Sequence, residues 1–129
     1  MEYYFNKILK NLTFDKVVDK TTQALKEEGF GILTEIDIKT TLKNKLDVDF
    51  PNYKILGACN PAFAHKALLA ENKIGTMLPC NVIVRETKDG SIEVAAVDPI
   101  TSMMGVKNED LGTIAEEVQT KLKKAVDSL

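Results

Sequence analysis

Met77-Leu78-Pro79-Cys80-Asn81-Val82-Ile83-Val84-Arg85, a break at Lys88-Asp89-Gly90, then Ser91-Ile92-Glu93-Val94-Ala95-Ala96-Val97: this stretch decides the fold. Both arms are rich in Val, Ile and Ala, which suits strands. Asp89-Gly90 favours a tight hairpin turn. Strands joined this closely run antiparallel, so the sheet is at least partly antiparallel. Asp98-Pro99 closes the second arm.

Upstream, Tyr3 to Leu9 alternates roughly and carries aromatic residues, as a first strand does. Thr13 then suits a helix N-cap, because its hydroxyl accepts from an otherwise unpaired amide. Phe14, Val17, Val18, Thr21, Ala24 and Leu25 follow at helical spacing and form one buried stripe. Gly29 suits a left-handed stop. Gly31 to Ile38 reads as a second strand, although Ile32, Glu35 and Ile36 break its alternation, and Ile38 to Leu46 as one or two helical turns. Asp47 to Pro51 reads as a loop. Tyr53 to Cys59 is a third strand, with Ile55 and Gly57 on the Cys59 side and Leu56 and Ala58 opposite.

Asn60-Pro61 has the form of a helix start, Asn capping and Pro taking the first turn. The helix it opens stops near Gly75. Residues Ile100 to Asn108 read as an irregular connection holding Met103 and Met104. A last helix runs from Glu109 to Ser128, with Leu111, Ile114, Ala115, Val118, Leu122, Ala125 and Val126 inward. The element order makes an α+β fold of one domain, residues 1–129, with helices packed on one face of the sheet.

With 129 residues the chain supports a core without disulfide or metal staples. Its 17 basic and 19 acidic residues are scattered, so there is no basic footprint for nucleic acid. A single arginine, Arg85, supplies little bidentate clamping. No apolar run approaches the roughly 20 residues of a membrane span. The start, Met1-Glu2-Tyr3-Tyr4-Phe5, has no basic segment or long apolar region of a secretory signal. Two cysteines do not indicate a disulfide scaffold. The expectation is a cytoplasmic protein with no nucleic-acid or membrane partner.

The chemistry sits in a doubled pair, Cys59-Asn60-Pro61 and Pro79-Cys80-Asn81, which uses both cysteines of the chain. Cys59 lies just before a helix start, where amides and the positive helix end stabilise a thiolate. If the third and fourth strands are neighbours, the two sulfurs meet. That gives a redox, persulfide-handling or acyl-thiol site; against it stands plain packing, since free Cys is commonly a small buried hydrophobe. Cys-x-x-Cys spacing is absent, which weakens an oxidoreductase reading.

Together, Gly29-Phe30-Gly31, Leu56-Gly57-Ala58-Cys59-Asn60-Pro61 with Ala64-His65, Gly75, Leu78-Pro79-Cys80-Asn81-Val82-Ile83-Val84 and Val97-Asp98-Pro99 resemble domain of unknown function 302. This is a bacterial and archaeal family of small proteins. The resemblance runs from the first helix to the Met103-Met104 loop and on to the C-terminal helix, and so covers most of the chain. It implies a compact α+β fold similar to TATA-binding-protein-like domains, and a homodimer. It implies no established activity.

The expected site is a pocket for a small ligand lined by Cys59, Asn60, Cys80 and Asn81. The enzyme alternative makes Cys59 a nucleophile or redox thiol, Cys80 its resolving partner and His65 an assistant. A third alternative is a structural homodimer module with no catalytic role. Cys59, Cys80 and His65, with Met103 or Met104, would suit zinc or copper(I). No ligand pair comes at a zinc-site spacing, so no metal is expected, and the sequence names no cofactor. Asn60 is expected to cap its helix, whereas Asn81 is open between backbone satisfaction and ligand contact. Leu78–Pro79 is expected trans, since about 5% of X–Pro bonds are cis. Asp98 is expected to cap the turn at Pro99, and Glu35 and Asp37 to be solvated.

Overall fold

The computed structural model describes residues 2–129, so Met1 lies outside the described residues. In chain order the elements are β1 (Tyr4–Leu9), α1 (Phe14–Glu27), β2 (Gly31–Asp37), α2 (Ile38–Leu46), β3 (Tyr53–Cys59), α3 (Pro61–Ala70), a 3-10 turn (Ile74–Met77), β4 (Cys80–Glu86), β5 (Ile92–Val97), α4 (Pro99–Ser102) and α5 (Glu109–Asp127). The strands form one sheet in the order β1-β5-β4-β3-β2. Every pairing is antiparallel, so the sheet expected to be at least partly antiparallel is antiparallel throughout. The fold is α+β.

The hairpin that sets this architecture closes as its sequence demands. Gly90 takes φ +84°, Thr87 N–H donates to Ser91 O at 2.8 Å, and the Asp89 carboxylate accepts from Ser91 N–H at 3.0 Å. Strand β4 starts at Cys80 instead of Met77. Pro79 has no N–H to give a ladder, and residues 74–77 coil into the 3-10 turn. The Leu78–Pro79 peptide is cis, not trans. The tertiary amide makes that form only about 0.5–1 kcal/mol less favourable than trans, within reach of ordinary tertiary contacts.

Helix α1 is built as its pattern dictates. Thr13 Oγ1 accepts from Lys16 N–H at 3.3 Å, and the six residues of the stripe are its buried ones. Gly29, at φ +88°, ends it. Helix α2 is longer than one or two turns: the Asp37 carboxylate caps it through Thr40 N–H at 3.0 Å. Asp37 is thereby a cap, and Glu35 is paired to Lys54 Nζ at 2.7 Å; neither is merely solvated. Helix α3 ends at Ala70, short of Gly75. The stretch expected to be irregular begins with α4, because Asp98 caps Ile100 N–H at 3.0 Å and Pro99 is preset for a first helical turn.

One face of the sheet carries the core. Leu56, Ala58, Cys80, Val82, Val84, Ile92, Val94 and Ala96 point into it, against the α1 stripe and against Val118, Leu122, Ala125 and Val126 of α5. Each fully buried Leu, Ile or Val there contributes about 1.5–3 kcal/mol of transfer free energy. A smaller cluster of Ala67, Ile74 and Leu111 lies under α3. Among the described residues no helix is long and apolar enough to cross a membrane.

Candidate functional site

Antiparallel pairing brings the end of β3 beside the start of β4. Ala58 is paired with Cys80 and Gly57 with Asn81. Cys80 is buried and Cys59 half-buried; both are free thiols. They line one cavity of about 30 Å³ at this end of the sheet. Strict alternation would send Cys59 to the face opposite Ala58 and Cys80. Cys59 is the last residue of β3, however, where the chain turns into α3, and it is among the residues that line the same space.

Apart from Asn60, the rest of the wall is apolar. Phe63 and Ala67 come from α3, Ile114 and Val118 from α5, and Phe30, Leu78 and Met103 from the connecting segments. Burial, and then the neighbouring Cys59, push the Cys80 thiol from an ordinary 9.0 up to about 11. Cys80 is therefore a neutral thiol at physiological pH.

Three expected site residues fall elsewhere or act differently. Asn60 stands at the N-cap position of α3, but its side chain makes no capping hydrogen bond. Its Nδ2 instead donates to Glu28 O at 3.4 Å, tying the end of α1 to the start of α3. A Cβ on Gly29 would lie 3.0 Å from that nitrogen, so the amide packs directly over the glycine. Asn81 is exposed and faces away from Cys80, as successive strand residues must. His65 is exposed on α3 and is not part of the cavity wall.

Asn81 belongs to a second concavity of about 430 Å³ on the opposite face of the sheet, with Tyr4, Tyr53, Ile83, Arg85 and Glu93. There Arg85 Nε donates to Glu93 Oε1 at 2.6 Å and Asn6 Nδ2 to Glu93 Oε2 at 2.8 Å. Burial works to raise the Glu93 carboxyl, but these two donors outweigh it and hold it below its usual range.

Of the two methionines weighed as soft donors, Met103 enters the cavity wall and Met104 does not. The sequence reading missed one residue of this region. Gly57 is a close-approach glycine: a Cβ there would run into Thr34 Oγ1 and lie 2.8 Å from Pro79 Cγ. A lone glycine inside a strand is the signal that pointed to it.

The profile of the family described as "Domain of unknown function DUF302" matches residues 5–129. The chain belongs to that family. A solved structure, the crystal structure of an uncharacterized conserved DUF302 protein from Bacillus stearothermophilus, is similar over 98% of both chains, with a TM-score of 0.90 and 23% sequence identity. At that identity the likeness shows the shared fold. No curated protein matches the sequence.

Proposed function

We propose that this DUF302 chain is a binding module whose site is the thiol-lined cavity, and that its guest is a few atoms in size. The observation that carries the reading is that both cysteines of the chain border one cavity. Size selects the class of guest. Metabolite pockets run to about 300–1,000 Å³, whereas a single water needs about 10–15 Å³. A space of about 30 Å³ is on the second scale.

A thiol-dependent redox or sulfur-transfer enzyme is the weaker reading. A resolving thiol must ionise, and burial pushes Cys80 up to about 11. His65 is outside the cavity wall and gives neither thiol a base. Two free thiols beside one cavity fit a reducing compartment such as the cytoplasm.

A homodimer through the opposite sheet face belongs to the same proposal. That face presents Tyr4, Tyr53, Ile83 and Ala95, and its Arg85 and Glu93 are already paired with each other. Like can therefore meet like without uncompensated charge. Ile83→Glu should halve the mass seen by sedimentation equilibrium; an unchanged mass removes this interface.

The cavity reading is tested by native mass spectrometry of protein purified without chelator or added thiol. The expected result is a bound mass on the wild type that is missing from the Cys59→Ala/Cys80→Ala double variant. Bare mass on both removes the reading.

A further inference from the structure

We infer that the guest of the thiol-lined cavity is a soft monovalent cation, Cu(I), held by the sulfurs of Cys59, Cys80 and Met103. This rests on the cavity being a binding site, the reading proposed above. The first support is the inventory of heteroatoms. Among the side chains that line the cavity, four carry one: Cys59, Asn60, Cys80 and Met103. Asn60 points its amide at Glu28 O, which leaves two thiols and a thioether.

Sulfur donors of this kind select soft cations, above all Cu(I), over the oxygen-seeking ones. Structural zinc sites want four strong donors. Among the described residues no group of three or more His, Cys, Asp or Glu side chains gathers anywhere. A filled-shell Cu(I) ion is satisfied by two or three sulfurs, so it needs no fourth donor.

Charge points the same way. The wall is otherwise apolar, so an ion enters at low cost only as part of a neutral unit. One thiolate and one Cu(I) make that unit, with the second thiol and the thioether as neutral donors. Binding releases one thiol proton to solvent and leaves the metal's oxidation state unchanged. The volume agrees, since about 30 Å³ is enough for a single ion.

The experiment is an anaerobic titration of the reduced, full-length chain against the copper(I) complex of bicinchoninate. One Cu(I) per chain should leave the chelator, and X-ray absorption should show a shell of sulfur alone. Cys59→Ser and Cys80→Ser should each weaken binding about a hundredfold, and Met103→Leu about tenfold. Because Met103→Leu conserves volume, it keeps the fold and tests the third donor even if a Cys variant does not fold. Copper that stays on the chelator, a nitrogen or oxygen shell, or full affinity in the Ser variants overturns the inference. If untreated protein carries a thiol-dependent mass other than copper and takes up no Cu(I), the copper inference falls while the binding reading stands. If there is neither adduct nor copper uptake, both fall.

Discussion

Titrating Cys80 tests the site from the side of stability. Its sulfur is in the core, and burial followed by the Cys59 neighbour pushes its thiol from an ordinary 9.0 to about 11. The folded chain thus holds this proton more tightly than the unfolded chain does. The corresponding stabilisation is complete below about pH 9 and is lost as pH rises through about 11. Two pH units at about 1.4 kcal/mol each make a loss of about 3 kcal/mol. The assay is urea unfolding in steps from pH 8 to 11.5, with reductant and without oxygen, on wild type and Cys80→Ala. Tyrosines and lysines titrate in both chains, so their contribution cancels in the difference. At pH 8 the variant should be less stable by about 1–2 kcal/mol, for the lost sulfur and the space it leaves. Toward pH 11.5 the wild type should lose that advantage, and the two curves should cross near pH 10. Curves that stay parallel refute the reasoning, because Cys80 would then ionise as freely folded as unfolded and its sulfur would not be in the core.

Three further outcomes follow from single contacts. Gly57→Ala should cost about 1–3 kcal/mol by overpacking against Thr34 and Pro79, read as a lowered Tm; an unchanged Tm means that those side chains move aside freely. Thr21 is buried and its Oγ1 has no partner, so Thr21→Val should stabilise by about 1 kcal/mol in urea unfolding, and a loss of stability would mean the hydroxyl is bonded. Asn60→Asp separates two roles: a capping Asn is replaced by Asp at little cost, but a donor to Glu28 O is not, so Asp should be less stable than Asn60→Ala by about 1 kcal/mol.

The fold was legible wherever local chemistry and tertiary packing agree. The α1 stripe, the Gly29 stop and the Asp89-Gly90 turn are local rules obeyed by the final structure. The start of β4 was not legible, because Pro79 packs beside Gly57, which is distant in sequence. Asn60 misled for a similar reason. Its position is that of a cap, but the neighbouring carbonyl of Glu28, 32 residues earlier, claims its amide. For the site, the closeness of the two Cys-Asn segments followed from strand adjacency. The placement of Asn81 and Met103 needed the orientation of whole elements.

The same dipeptide occupies opposite ends of two antiparallel neighbours, and this explains why a doubled Cys-Asn motif is not a doubled site. In β3 the cysteine is the last strand residue and the asparagine leads into a helix; in β4 the cysteine is the first strand residue and the asparagine the second. Because one strand ends where the other begins, both cysteines border one cavity. Because strand residues alternate, Asn81 is sent to the other face. A slip of β4 by one residue would exchange them, placing an amide in the apolar core at about 1–3 kcal/mol for its unmet hydrogen bonds and carrying the sulfur into the open groove. Thr34 and Pro79 both pack over the bare surface of Gly57, a close approach that a side chain at that position would block.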